Sequence, residues 1–181
     1  YKSIEDYFQA KLAIINHLKP GANLVINADD NKVSEIKNIY KNCVDFSLKP
    51  DSQAQFCAKI IKSDLSGLEF EVNGVTINSP LVGQFNVQNI LGAIAACLSL
   101  GLDINQISNA IKTFSRVPGR LEKIILSNGA IAFVDYAHNA ASLQAVLSAL
   151  RPFSTHLIVL FGAGGDRDPS RRPVMGKSAS V

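Results

Sequence analysis

The hydrophobic positions change period along the chain, and each change marks a different kind of element. From Ile4 to Leu18 apolar residues recur at Phe8, Leu12, Ile15 and Leu18. That spacing predicts an amphipathic helix, with Ser3 in place to cap it and Pro20-Gly21 to end it. Leu24 to Ile26 is a short apolar run that reads as a buried strand, followed by the polar turn Asn27-Ala28-Asp29-Asp30. Lys32 to Tyr40 reads as a helix and Cys43 to Ser47 as another strand. The period then drops to two. Phe56 to Ile61 is one strand, and Leu68, Phe70 and Val72 alternate with Glu69 and Glu71. Asn73-Gly74 follows, then Val75 and Ile77, which predicts a hairpin with a two-residue turn. Asn86 to Leu100 carries a helical stripe of Val87, Ile90, Leu91, Ile94, Ala95 and Leu98. Asp103 caps a further helix through Phe114.

Val117-Pro118-Gly119 breaks this pattern and is taken as a domain boundary, dividing residues 1–117 from 118–181. Beyond it the order is strand (Glu122 to Leu126), strand (Ile131 to Tyr136), helix (Ala141 to Leu150), strand (Leu157 to Phe161), loop and helix. A strand, a crossover helix and a further strand predict a parallel sheet, so the fold class is α/β.

Composition narrows the function classes. Of 181 residues, 47% are hydrophobic and 18% charged, which excludes a disordered chain. A net charge of +3 without a Lys/Arg-rich run gives no ground for a nucleic-acid partner. Val72 to Leu102 lacks Asp, Glu, Lys and Arg, but it contains several Asn and Gln and a proline. Only Ile90 to Leu102 is continuously apolar or weakly polar, too short for the ~20 residues of a membrane span. Cys43, Cys57 and Cys97 have no metal-ligand spacing and read as reduced thiols of a cytoplasmic protein. No signal peptide is present, and the single methionine is Met175, so the chain reads as a piece of a longer protein.

Several constellations can carry chemistry. Gly162-Ala163-Gly164-Gly165-Asp166-Arg167-Asp168 follows an apolar strand and precedes a helix, where open α/β sheets bind ligands. Its glycines admit a close ligand, and Arg167, Arg171 and Arg172 suit an anionic or zwitterionic one. Arg167 stands where a dinucleotide fingerprint needs its last glycine. The alternative is a surface turn with solvated charges. At Asp135-Tyr136-Ala137-His138 a carboxylate can accept from a ribose diol, a ring can stack on a base and an imidazole can shuttle a proton. Equally, those groups can simply cap the next helix. Asn86 and Asn89, three apart, project from one helix face, and their amides match adenine's polar edge, though Asn is also a common N-cap. Arg120, at the boundary, suits a phosphate or an ordinary ion pair. Lys11, among Ala10, Leu12 and Ala13, reads by itself as an exposed helical lysine.

Taken in order, these motifs resemble the Mur ligase family, and within it the ligases that add the third residue of the peptidoglycan stem peptide. Tyr7-Phe8-Gln9-Ala10-Lys11 is similar to the family's Tyr-x-x-Ala-Lys helix, and Asn27 to Asp30 to its Asn-x-Asp-Asp strand end. Gly83 to Asn89 is similar to Gly-x-Phe-Asn-x-x-Asn, Pro118 to Glu122 to Pro-Gly-Arg-hydrophobic-Glu, and Asp135 to His138 to Asp-Tyr-Ala-His. Phe161 to Asp168, with Arg172-Pro173 and Met175-Gly176, is similar to the Gly-Gly-Asp-Arg-Asp region, the most specific of these matches.

The resemblance implies the later part of a central ATPase domain over 1–117, followed by the start of a Rossmann-like C-terminal domain over 118–181. It implies a ligase that makes an acyl phosphate from a carboxylate and ATP with Mg²⁺, and then an amide. The substrates would be UDP-MurNAc-L-Ala-D-Glu and a diamino acid, meso-diaminopimelate or L-lysine. Lys11 would be carbamylated and help to place Mg²⁺. Asn86 and Asn89 would hold adenine, and Arg120, Asp135, Tyr136 and His138 would complete the nucleotide site. His138 would also belong to the catalytic set, and Arg167 would meet the incoming amino acid. The protein is expected to be monomeric, cytoplasmic and without a membrane span.

There are departures. Asn139-Ala140-Ala141 stands where the family has Thr-Pro-Asp or a near relative, so loss of the proline is expected to loosen the turn modestly. Tyr1 stands where a His is common. No Gly-x-x-Gly-Lys-Thr phosphate loop occurs in the chain. These 181 residues alone are therefore expected not to catalyse ligation. Two alternatives share the Asn helix and the Asp-x-x-His strand. One is another amide ligase of the superfamily, folylpolyglutamate or cyanophycin synthetase-like. The other is a non-catalytic nucleotide-binding module derived from such an enzyme.

Overall fold

The computed structural model describes residues 1–49, 51–114, 116–163 and 169–180. Helix α1 (Ile4–Leu12) begins where Ser3 Oγ accepts the Asp6 N–H at 3.0 Å. It is shorter than its apolar spacing predicts. The chain tightens into a 3₁₀ turn over Ala13–His17, and Leu18 is extended. The β-branched pair Ile14-Ile15 and the approaching Pro20 both disfavour further α-helix.

Strands β1 (Leu24–Asn27) and β2 (Cys43–Ser47) flank α2 (Val33–Ile39) and pair in parallel, with Leu24 opposite Cys43. β3 (Phe56–Asp64) joins β2 in parallel, with Phe46 opposite Phe56. β4 (Gly67–Val72) and β5 (Val75–Ser79) form the expected hairpin. Asn73 and Gly74 have φ of 47° and 83°, the two left-handed residues that let a two-residue turn match the strand twist. The sheet order is β1-β2-β3-β4-β5. Then come α3 (Phe85–Ser99) and α4 (Ile104–Thr113), where Asp103 Oδ1 accepts the N–H groups of Asn105 and Gln106. β6 (Glu122–Ile125), β7 (Ile131–Val134), α5 (Ala140–Leu150) and α6 (Arg171–Ala179) complete the order.

The described chain forms two compact units threaded through alternating segments. The first holds Tyr1–Lys59, Phe70–Ile77 and Gln88–Asn109, and the second holds Ile60–Glu69, Asn78–Val87 and the described residues from Ala110 onward. In the first, Ile26, Val44, Phe46, Phe70, Val72, Leu91 and Ile94 are buried. A Cβ at Gly92 would lie 3.3 Å from the Phe46 ring, so α3 approaches β2 closely there. Within the same unit the buried Asp45 carboxylate pairs with Lys37 and accepts the Gln55 N–H. Burial would raise its pKa, but those hydrogen bonds outweigh burial and hold it below the ordinary value. The pair therefore stabilises the fold above the unfolded-state pKa and ceases to do so as pH falls through the lower folded value.

In the second unit, Val82, Leu121 and Leu150 form one buried cluster with Leu65, Phe85, Phe133, Val146 and Leu157. Leu143, Leu147 and Met175 form another with Ala137, Ala140, Leu157, Val159 and Ala179. Helix α5 thus buries residues in both clusters. Its start departs from the expected loosening. Asn139 Oδ1 accepts the Ser142 N–H at 2.9 Å, and Ser142 Oγ accepts the Asn139 N–H at 3.3 Å. This capping box satisfies two backbone donors that a proline would not. Asn139→Ala is expected to cost about 1 kcal/mol, read as a lower urea midpoint. An unchanged midpoint would contradict that role.

The expected parallel pairing of Ile131 to Tyr136 with Leu157 to Phe161, across the helix between them, does not form among the described residues. β6 and β7 are antiparallel, Glu122 facing Val134 and Ile125 facing Ile131. The short connection from Leu126 to Ala130 suits that antiparallel pair. Leu157 to Phe161 alternates as a strand should, with Leu157 and Val159 turned inward and Ile158 and Leu160 exposed. No described strand pairs with it.

Candidate functional site

The boundary segment Val117-Pro118-Gly119-Arg120-Leu121-Glu122 forms a tight, heavily tethered loop. The Arg120 N–H closes a turn on the Val117 carbonyl at 3.1 Å. Gly119 has φ of 67° and Leu121 has φ of 45°. A leucine in the left-handed region costs about 1–2 kcal/mol, so its surroundings must hold it there. They do so from both ends. The Leu121 side chain is buried among Val82, Phe85, Phe133 and Leu150. Its N–H donates to Asp135 Oδ2 at 2.9 Å. With Leu121 turned inward, the neighbouring Arg120 is exposed.

The strand end opposite is bound into the same loop. Asp135 Oδ1 accepts the Ala137 N–H at 2.8 Å, and the Tyr136 N–H donates to the Gly119 carbonyl at 2.9 Å. The Tyr136 ring lies over Gly119, 67% exposed. His138 Nδ1 lies 3.0 Å from the Tyr136 carbonyl. A carbonyl only accepts, so Nδ1 carries a proton, and in the neutral tautomer Nε2 is then the acceptor. The structure therefore brings Arg120, Asp135, Tyr136 and His138 together. It also gives Asp135 a backbone-tethering role that the sequence reading left open.

Gly119 is fixed by this arrangement. A Cβ there would lie 2.3 Å from a Tyr136 ring carbon. Gly119→Ala is expected to swing Tyr136 away and cost about 1–2 kcal/mol, because alanine resists positive φ. The check is a lower melting temperature; an unchanged one would contradict the packing described.

The two asparagines differ, contrary to the single shared face that their spacing predicts. Asn86 is buried, and its Nδ2 donates to the Val82 carbonyl at 2.7 Å. Asn89, one turn on, is exposed. The physical reason is that residues three apart are offset by about 60° around a helix, enough to cross the edge of a buried stripe. Through Val82, which packs in the cluster around Leu121, Asn86 is linked to the boundary loop.

Lys11 lies in the first unit, exposed, with Nζ 5.4 Å from the Tyr7 ring centroid. Helix α1 buries none of its residues. Lys32 ties it to α2, with Nζ 2.8 Å from both Glu5 and Glu35 and 4.6 Å from the Phe8 ring centroid. Among the described residues Lys11 makes no ion pair. A carbamate would supply one hard oxygen ligand. No described group of three or more His, Cys, Asp or Glu could hold a metal. The described residues thus do not form a magnesium site by themselves, and Lys11 fits only the part of a single ligand. Arg167 and the stretch 164–168 lie outside the described residues. Arg171 and Arg172 open α6, exposed.

A cavity of about 220 Å³ lies elsewhere in the second unit, lined by Lys62, Ser66, Gly67, Leu68, Glu69, Asn78, Ser79, Pro80 and Lys112. None of the candidate residues lines it. Sequence reasoning gave no individual role to three contributors to this cluster: Val82, and the Leu121 and Glu122 of the Pro118 to Glu122 motif. Glu122 accepts the Gly119 N–H at 3.1 Å and the Arg116 guanidinium at 3.1 Å. A carboxylate three residues beyond a turn glycine was an available signal for it. Nothing in the sequence marks a left-handed leucine.

Comparison with known proteins covers both halves. Residues 1–97 match the Mur ligase middle domain, and residues 119–181 match the Mur ligase, glutamate ligase domain. The UDP-N-acetylmuramoyl-L-alanyl-D-glutamate–2,6-diaminopimelate ligase of Trichormus variabilis is 38% identical over 99% of this chain. The ligase of the same name from Gloeobacter violaceus is also 38% identical over 99% of it. The chain spans 38% of the length of each. A solved structure of a ligase of that name aligns over 99% of this chain and 39% of its own, with a TM-score of 0.68 and 30% identity. MurF from Acinetobacter baumannii aligns over 83% of this chain and 34% of its own, with a TM-score of 0.73 and 22% identity, a likeness of fold alone. Among the described residues no helix is long and apolar enough to cross a membrane. With both family domains matched in order and the tethered loop lying at the start of the second, the chain belongs to the Mur ligase family.

Proposed function

We propose that the protein carrying this chain is an ATP-dependent amide ligase of peptidoglycan synthesis. It joins a diamino acid to UDP-MurNAc-L-Ala-D-Glu. The observation that carries this reading is the in-order match of 99% of the chain to ligases of that specificity. Their names favour 2,6-diaminopimelate over lysine as the acceptor. Residues 1–117 are proposed as the later part of the central ATPase domain and 118–181 as the start of the C-terminal domain.

In the reaction a substrate carboxylate oxygen takes the γ-phosphoryl group of ATP, releasing ADP. The acceptor amine then attacks the acyl carbon, inorganic phosphate leaves, and an amide remains. Such chemistry is carried by positioning and by cations set against phosphoryl charge. Arg120 supplies an exposed guanidinium on a rigid loop, suited to a phosphate. Tyr136 offers a ring for stacking and Asn89 an exposed amide for adenine. Asn86 supports the start of the same helix through Val82. Asp135 orders the loop and, with two lone pairs on each oxygen, has acceptor capacity for a ribose hydroxyl as well. His138 Nε2 is an acceptor for a proton or a hydroxyl. Arg167 is proposed to meet the acceptor carboxylate. Mg²⁺ would neutralise the polyphosphate, with the Lys11 carbamate as one oxygen ligand.

Mass spectrometry of the reaction with the complete gene product tests this reading. The expected product is the UDP-MurNAc tripeptide, formed only with ATP and abolished by EDTA. Unchanged dipeptide from folded protein, with either diamino acid, would overturn it.

A further inference from the structure

The boundary loop contains a carboxylate to which nothing yet gives a functional part. Glu122 is held at the start of β6 with its side chain only 18% exposed. One of its oxygens accepts the Gly119 N–H at 3.1 Å, and the other accepts the Arg116 guanidinium at 3.1 Å. Asp135 grips the same loop from the opposite strand, through the Leu121 N–H. The two carboxylates therefore bracket Arg120. One fixes the residue before it and the other fixes the residue after it. Between them the backbone holds two positive φ values, at Gly119 and Leu121. Such a backbone needs restraint on both sides, since an unrestrained leucine leaves the left-handed region.

We infer that Glu122 is a positioning residue that acts through Arg120. By holding the Gly119 N–H it fixes the loop that aims the Arg120 guanidinium at the nucleotide phosphates. The ion pair with Arg116 adds little by itself, because Arg116 is 67% exposed and the pair is screened. The backbone bond sets the loop, and Arg116 keeps the carboxylate turned toward it. This inference rests on the proposal that Arg120 meets the nucleotide.

The test is a double-mutant cycle in the complete gene product, measured as KM for ATP and, separately, KM for the UDP-MurNAc dipeptide. Glu122→Ala is expected to raise KM for ATP about three- to tenfold and to leave KM for the dipeptide unchanged. Glu122→Gln keeps a carbonyl acceptor for the Gly119 N–H and is expected to recover most of the loss. Arg120→Ala is expected to raise KM for ATP by itself. Adding Glu122→Ala to Arg120→Ala should then change nothing further, because the group being aimed is gone. Additive effects would overturn the inference, as would an unchanged KM for ATP in folded Glu122→Ala protein. If Glu122→Ala does not fold, the cycle is run with Glu122→Gln. Its smaller rise should likewise vanish in the Arg120→Ala background, and persistence of that rise would overturn the inference. If Arg120→Ala leaves KM for ATP unchanged, the reading of Arg120 fails first, a result separate from additivity.

Discussion

Lys11→Ala is expected to lower kcat of the proposed ligation by the complete gene product by about 10²–10³, the scale of losing one preorganised electrostatic group. The structure makes this a sharp test. Lys11 is exposed on a helix that buries none of its residues, and its contact is a loose one with the Tyr7 ring. A solvated lysine with only a loose ring contact among the described residues should cost no more than about 0.5 kcal/mol when removed. A large loss of rate with an almost unchanged melting temperature is therefore expected. Partial recovery of rate by an added short-chain carboxylate would support the carbamate specifically. Full activity in Lys11→Ala would remove Lys11 from the site and leave the plain reading of it as an exposed helical lysine.

Leu121→Ala is expected to have the opposite signature, with stability falling by about 2–5 kcal/mol. Leu121 is 4% exposed and is the side chain that anchors the boundary loop in the cluster with Val82 and Leu150. Its loss leaves a cavity, while alanine still suffers the positive φ of 45°. The loop should loosen, so KM for ATP should rise as well. A denaturant midpoint shift with unchanged slope measures the first effect. A change below about 1 kcal/mol would show that the loop does not depend on this anchor.

Much of the fold was legible because its signals are local. Asn73-Gly74 between alternating strands gave the hairpin, and Ser3 and Asp103 gave two helix starts. The stripe of α3 was legible because Val87, Leu91, Ile94 and Ala95 are fully buried. What failed depended on partners distant in sequence. Leu157 to Phe161 has strand alternation, but alternation does not supply a neighbour to hydrogen-bond. Asn86 and Asn89 share a helix face by spacing, yet the edge of the buried stripe runs between them. Arg120, Asp135, Tyr136 and His138 were legible as residue types in order, and the structure places them in one cluster. Their mutual bracing was not legible, because it runs through backbone donors at Gly119, Leu121 and Ala137 that no side-chain pattern reveals. Asn139 is a middle case. A missing proline was read as a loss, while the capping box with Ser142, three residues on, went unread.

The most direct test of the central claim is phosphate release by the complete gene product. The assay contains ATP, Mg²⁺ and UDP-MurNAc-L-Ala-D-Glu, with meso-diaminopimelate or L-lysine added in separate reactions. The expected result is release that depends on the diamino acid, and on meso-diaminopimelate in particular. Release with neither diamino acid, from protein shown to be folded, would contradict it.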